Sequence, residues 1–123
     1  MNITTHFSAK ELECPCCHVA TMDTAFMDKL EKLRVAYGNP ITINSGFRCA
    51  KHNRDVGGAP ASYHMQGKAV DIAVPNKTAR YNLVKLALEI GFGGIEISSI
   101  HAHIDNRPGD PVMIILDRAW VQL

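Results

Sequence analysis

The sequence predicts an α+β domain in which helices pack on a mostly antiparallel sheet. Helical periodicity dominates the first third of the chain, whereas the last third consists of short β-branched runs separated by glycines. The chain has 123 residues, the length of one domain, and 46% of them are hydrophobic, enough to close a modest core. We therefore expect one small domain over residues 1–123.

Three helices are predicted from N-terminal capping residues followed by apolar positions three or four apart. Ser8, with Glu11 three residues later, forms a capping box and opens a short helix that stops at Cys14. Asp23 or Thr24 caps a second helix that runs to about 37, and Asn76 or Thr78 starts a third helix that runs to about 90. Glycines follow both of the longer helices, as is typical of helix ends.

Five short strands are predicted from β-branched or alternating runs. They cover residues 41–44, 69–74, 95–98, 100–105 and 112–116. Between the first two, the segment from Ser45 to Gly67 is rich in Gly, Asn, Arg, Ser and His and shows little periodicity. Because a long irregular segment in a small domain usually carries function, we expect functional residues here.

Composition and charge argue against two classes of partner. Thirteen Lys and Arg oppose twelve Asp and Glu, so the net charge of +1 lacks the basic excess typical of nucleic-acid-binding proteins. No apolar run approaches the ~18 residues that a membrane span needs, and the N-terminal residues lack a signal-peptide pattern. The chain does contain six His and four Cys, an excess of metal-binding side chains that needs an explanation.

Two histidines and a carboxylate alternate along the predicted strand at 100–105. Side chains two apart share one face of a strand, so His101, His103 and Asp105 project together. The opposite face carries the apolar residues Ile100, Ala102 and Ile104, and we expect this face to pack on the core. This pattern indicates a metal or catalytic site, although a merely polar strand face has the same pattern.

A second pair of candidate ligands is His64, at the end of the irregular segment, and Asp71, inside an apolar strand. A carboxylate in an apolar run is costly unless it is paired or binds a cation. Either Asp71 is paired with Arg48 or Lys68, or it binds one zinc ion together with His64 and a histidine of the later strand. Two nitrogen ligands and one oxygen ligand leave the fourth position for water, as in catalytic zinc sites.

Arg48 follows the first predicted strand in the sequence Ser-Gly-Phe-Arg. Beside a metal, such a guanidinium binds a substrate carboxylate or stabilises an oxyanion. The alternative is an arginine that only stabilises a turn or the surface.

Three motifs in this order resemble a known family: Ser-Gly-Phe-Arg at 45–48, S-x-H-x-x-G-x-A-x-D at 62–71, and H-x-D at 103–105. They resemble the zinc-dependent D-alanyl-D-alanine carboxypeptidases and L-alanyl-D-glutamate endopeptidases. These peptidoglycan peptidases include bacteriophage endolysins and share a metal-site architecture with the Hedgehog signalling domain. The resemblance covers about residues 7–107.

The resemblance implies a Hedgehog-like peptidase fold with one catalytic Zn²⁺. It implies His64, Asp71 and His103 as the zinc ligands. It also implies Arg48 as a clamp on substrate and transition state, and Ser62 as a small polar residue near the substrate.

The general base implied by the family is missing from its usual place. Many members have an acidic residue three positions before the last histidine ligand, where this chain has Ile100. We expect His101 to act as the acid/base or oxyanion stabiliser, with Glu96 as the next candidate. We expect the Asp105 carboxylate to accept a hydrogen bond from a zinc ligand, His103 or His64, through the ring nitrogen that does not bind the metal.

The function implied is hydrolysis of amide bonds in peptidoglycan stem peptides. We expect a monomer of phage or prophage origin, without a separate wall-binding domain, whose partner is the stem peptide. It would be made in the cytoplasm and reach the wall after holin- or lysis-dependent release, or as a virion component. The alternatives are a non-catalytic zinc-containing module that binds wall peptide or a protein, and a phage structural domain stabilised by zinc.

The cysteines allow three interpretations. Cys14, Cys16 and Cys17 cluster near the N-terminus, and Cys49 follows Arg48. They are free thiols, or form one disulfide between Cys49 and Cys14 or Cys17, or hold a second, structural zinc ion with nearby histidines. The sequence favours free thiols, because free cysteine is among the most buried residue types. The side chains of adjacent Cys16 and Cys17 diverge, which argues against the zinc ion.

Overall fold

The structure, a computed structural model, describes residues 1–115 of the chain. The helices are α1 (Ala9–Leu12), α2 (Thr24–Tyr37), α3 (Ala50–Asp55) and α4 (Lys77–Ile90), and a 3₁₀ helix spans Tyr63–Gln66. The strands are β1 (Ile43–Ser45), β2 (Ala69–Ala73), β3 (Gly94–Ile97), β4 (His101–Asp105) and β5 (Val112–Ile115). Within these residues, no helix is both long and apolar enough to cross a bilayer.

The five strands form one sheet in the order β1-β2-β4-β3-β5. Every neighbouring pair is antiparallel except β3 and β5, which are parallel. The predicted α+β class with a mostly antiparallel sheet is therefore confirmed. Strand β4 lies between β2 and β3, so its side chains have neighbours on both sides.

One continuous core joins the helices to one face of the sheet. Its largest fully buried members include Phe26, Leu30 and Leu33 of α2, with Ile72 of β2 and Ile104 of β4. Because side chains alternate along a strand, the residues between the buried ones on β2 and β4 face away from this core. The polar positions of the central strands are thereby gathered on the face that the helices do not cover.

The helix starts agree with the capping residues of the sequence. The Ser8 and Glu11 capping box is formed in full. Of the two candidates for α2, Asp23 is the cap, since its carboxylate accepts from the Phe26 N–H at 2.9 Å. Of the two for α4, Asn76 is the cap.

The segment from Ser45 to Gly67 contains more regular structure than predicted. It includes α3 and the 3₁₀ helix. Helix α3 has no apolar stripe that periodicity could reveal, because its one buried residue is Asn53. Its N-cap is the sulfur of Cys49, which accepts from the His52 N–H, and cysteine is not among the usual capping residues.

Strand boundaries also differ from the prediction. Strand β1 begins at Ile43 rather than 41, and an irregularity interrupts its pairing with β2. Strand β4 begins at His101, so the expectation that Ile100 faces the core is wrong. Ile100 is 71% exposed because it lies in the turn between β3 and β4, which closes through a bond from the Ser98 N–H to the His101 carbonyl. Residue 116 of the last predicted strand lies outside the described residues.

We expect Leu30→Ala to lower the free energy of unfolding by about 2–5 kcal/mol, because Leu30 is fully buried in the core. Leu88→Ala is the matched control, since Leu88 is 52% exposed on α4, and it should change this energy by less than about 0.5 kcal/mol. Urea denaturation measures both. Equal effects of the two substitutions would contradict the described core.

Candidate metal centre and active-site cavity

Strand register brings three of the predicted site residues side by side. Asp71 of β2 is paired with His103 of β4, and His103 is paired in turn with Glu96 of β3. Directly opposite residues of antiparallel strands have Cβ atoms about 4.5–5.5 Å apart. An imidazole is thus flanked by two carboxylates on the face away from the core.

His64 reaches the same place from the 3₁₀ helix before β2. Its Nδ1–H donates to the Gly46 carbonyl at 2.8 Å, and the residue is 2% exposed. A Cβ on Gly46 would lie 2.5 Å from the Leu12 carbonyl oxygen, so only glycine allows the chain to pass here. At the other end of this short helix, Gly67 adopts φ 68°, which turns the chain into β2.

The three expected zinc ligands converge. His64 Nε2 lies 3.2 Å and His103 Nδ1 lies 3.0 Å from the same oxygen, Asp71 Oδ1. One donor atom from each residue lies within 4.8 Å of the other two.

These donor atoms fit a zinc ion. With Nδ1 of His64 protonated, its Nε2 and the Asp71 oxygen are both acceptors, and they need a proton or a cation between them. Two imidazole nitrogens and one carboxylate oxygen match the ligand type and number of catalytic zinc sites with three protein ligands.

A second group with metal-binding geometry consists of Glu96, His103 and Asp105. Arg107 already neutralises it, because its guanidinium binds Asp105 through Nε at 2.9 Å and Nη2 at 2.6 Å. Its Nη2 also lies 3.1 Å from Glu96. A Cβ at Gly94 would lie 2.4 Å from Asp105 Oδ1, so glycine is needed beside this ion pair. The group of His64, Asp71 and His103 is therefore the better metal site.

Asp105 lies behind the site and orients His103. It is fully buried and accepts from His103 Nε2 at 2.7 Å, which leaves Nδ1 turned toward Asp71. Burial would lower the pKa of His103, but hydrogen bonds to Asp105 and Asp71 raise it to about 9. Despite burial, the hydrogen bond from His103 keeps the pKa of each of the two carboxyl groups below its usual range. A metal must displace the His103 proton, so zinc uptake releases a proton and weakens as the pH falls.

Arg48 is hydrogen-bonded to three polar side chains. Its Nη2 lies 3.2 Å from Asp71 Oδ2, as the pairing alternative predicts. Its Nε donates to Ser45 at 3.1 Å and its Nη1 to Asn53 at 3.4 Å. Since a guanidinium has five N–H donors, two remain for a substrate.

The three candidate zinc ligands, Arg48 and Glu96 line one cavity of about 340 Å³, whereas Asp105 does not. The predicted residues around it are Arg48, Ser62, His64, Asp71, Glu96, His101 and His103. The structure therefore brings together the residues of all three sequence motifs.

Four further residues line the cavity that the sequence analysis did not single out: Ala59, Ala61, Tyr63 and Arg107. The guanidinium carbon of Arg107 lies 5.5 Å from the centre of the Tyr63 ring, a cation–π contact. Arg107 continues the every-second-residue spacing of His103 and Asp105, a signal that could have identified it. Tyr63 had no comparable signal, because its neighbourhood was taken as irregular.

The chain is similar to known proteins. A family model described as Peptidase M15 matches residues 5–105. The zinc D-Ala-D-Ala carboxypeptidase of Streptomyces albus G is 51% identical over 47 residues. These residues are 37% of this chain but 18% of that protein, so the chain matches under a fifth of the relative's length. The matches confirm the family resemblance inferred from the three motifs.

We expect Asp105→Asn to weaken zinc binding about 10–100-fold, because an amide cannot hold His103 and Arg107 as the carboxylate does. Competition with a chromophoric zinc chelator measures the affinity. Asp110→Asn, the same substitution at an exposed position, should bind zinc as the wild type does. Unchanged zinc affinity in a folded Asp105→Asn protein would exclude this role for Asp105.

Proposed function

Because this chain belongs to the peptidase M15 family, we propose that it is a zinc metallopeptidase that hydrolyses amide bonds in peptidoglycan stem peptides. One observation carries the proposal. The donor atoms of His64, Asp71 and His103 converge within 4.8 Å of one another on the wall of an open cavity. Proton-transfer and anion-binding groups line the same cavity, so a peptide that reaches the metal also reaches them.

The three zinc ligands and Arg48 have separate binding roles, the ligands for the metal and Arg48 for the substrate. When bound, zinc lowers the pKa of a coordinated water toward ~7 and polarises the scissile carbonyl. His64, Asp71 and His103 hold the ion. Arg48, fixed by its bonds to Ser45 and Asp71, binds a carboxylate of the stem peptide or the negative charge that develops on the carbonyl oxygen.

Ser62 is proposed to position the substrate. Its Oγ accepts from the His64 N–H at 3.2 Å, which fixes the hydroxyl at the rim of the cavity. The hydroxyl proton stays available for a carbonyl oxygen of the peptide.

Two groups are candidates for moving the proton between water and leaving amine. We propose His101 first, because its ring lines the cavity and imidazole can both take and return a proton near neutral pH. Glu96 is the second candidate. Its carboxylate already accepts a hydrogen bond from Arg107 Nη2 at 3.1 Å, so it is engaged in an ion pair.

The finer parts of the proposal go beyond the family. The Streptomyces relative is named for D-Ala-D-Ala carboxypeptidase activity, and both this bond and the L-Ala-D-Glu bond are proposed substrates of the chain. Phage or prophage origin, monomeric state and delivery to the wall after lysis or on a virion stay predictions.

A non-catalytic zinc module that binds wall peptide is the second candidate, and one observation favours it. Ile100 replaces the acidic residue of the resembling family and is 71% exposed in a turn, so this position supplies no proton acceptor. The two candidates differ in turnover but not in zinc binding.

We expect the zinc-loaded protein to release peptides or amino groups from purified peptidoglycan, and His103→Ala to abolish this release because a zinc ligand is lost. A chelator should abolish it as well. His6→Ala is the matched control, because His6 lies outside the cavity and is bonded to Glu31. If the protein binds zinc stoichiometrically but releases nothing between about pH 6 and 9, the binding-module candidate replaces the enzyme.

We expect His101→Ala to keep its zinc but to lose about 10²–10⁴-fold in turnover, the usual contribution of a general acid/base. Glu96→Gln should lose much less. Zinc content by mass spectrometry and turnover on a soluble stem peptide separate binding from catalysis. Full activity in His101→Ala together with inactivity in Glu96→Gln would reverse the order of the two candidates.

A further inference from the structure

A second group of metal-binding side chains lies outside the cavity. The sulfur atoms of Cys14, Cys17 and Cys49 lie within 4.8 Å of one another. All four cysteines fall within the described residues, and none of them forms a disulfide. Cys14 is buried and Cys49 is partly buried, so the group is anchored in the fold.

The spacing of Cys14 and Cys49 fits a shared ion. Their Sγ atoms are 3.7 Å apart, far longer than the ~2.05 Å of a disulfide. Two sulfurs bound tetrahedrally at ~2.3 Å from one zinc ion are about 3.8 Å apart. A thiol–thiol hydrogen bond has the same separation, so the pair can accept an ion without a change in spacing.

The backbone between Cys14 and Cys17 turns so that both sulfurs face the same side. The His18 N–H donates to the Cys14 carbonyl at 2.8 Å, and the Cys14 N–H donates to the Val19 carbonyl at 2.8 Å. His18 has φ 58°, and among the described residues it is the one non-glycine with positive φ. Such a conformation is uncommon outside glycine, and here it closes a C-x-x-C turn of the spacing that zinc sites use.

The third sulfur of the group comes from Cys49, which precedes α3. Cys49 caps α3, and its sulfur accepts from the His52 N–H at 3.5 Å. Cys16 is exposed, and its sulfur is not one of the three that converge.

We propose that Cys14, Cys17 and Cys49 bind a structural zinc ion. Three cysteine ligands are typical of structural zinc sites, in contrast to the open set of two imidazoles and a carboxylate in the cavity. This is the third of the interpretations that the sequence allowed. Although Cys16 and Cys17 are adjacent, it is Cys14 and Cys17 that the turn brings together.

The proposed ion would stabilise the backbone next to Arg48 of the active site. Cys49 directly follows Arg48, and α3 supplies Asn53, which accepts from Arg48 Nη1 at 3.4 Å. Binding Cys49 to the 14–17 turn would fix the start of α3 and the backbone beside Arg48. The ion thus positions Arg48 from outside the cavity and takes no part in the reaction.

The test is the zinc content of the full chain, purified under reducing conditions and loaded with zinc. We expect about two zinc ions per chain in the wild type and about one in both Cys17→Ser and His103→Ala. Cys17 is exposed, so this substitution leaves the core intact, and Val19→Ala in the same turn should keep both ions. A wild-type content of one that Cys17→Ser does not lower would overturn the proposal.

Cobalt substitution identifies the ligands independently of activity. His103→Ala loaded with Co²⁺ should show the strong near-ultraviolet thiolate-to-cobalt charge-transfer band, and Cys17→Ser should lose it. If the zinc-loaded wild type has four freely reactive thiols, or an intact mass lower by two hydrogens that indicates a disulfide, the proposal is wrong. An inactive protein with two zinc ions would contradict the proposed peptidase and leave this site standing.

Discussion

The pairing of Asp71 with His103 across β2 and β4 is the constraint on which the site depends. Side chains alternate along strands, so this register buries Ile72 and Ile104 on one face and collects the ligands on the other. A slip of one residue would put the carboxylate and the imidazole into the core. The apolar core therefore fixes the ligand geometry, because the core and the metal centre occupy opposite faces of the same strands.

Charge balance explains how the cavity wall tolerates so many ionisable groups. Asp71 is compensated by Arg48 and by the hydrogen bond from His103, and the fully buried Asp105 is compensated by Arg107. Burying an unpaired carboxylate costs several kcal/mol, so each of these partners is required by the fold as well as by the chemistry. Removing His103 alone would leave both carboxylates less compensated, which links zinc binding to stability.

The sequence correctly predicted the elements that depend on interactions between residues close together in the chain. Capping boxes and apolar stripes identified α1, α2 and α4, because these depend on residues within one or two turns. Helix α3 was missed because a cysteine caps it and its buried residue is Asn53. Ile100 was placed in the core because alternation alone does not show where a strand gives way to a turn.

By itself, the sequence determined the α+β class and the identity of the candidate ligands, since alternation and motif spacing are properties of the chain. Only the tertiary structure determined which residues contact the candidate ligands and which cysteines come together. It placed Arg107 between Glu96 and Asp105, and it brought Cys49 to the turn that starts at Cys14. Such contacts join residues far apart in the chain, and their geometry follows from strand register and packing, which no local pattern encodes.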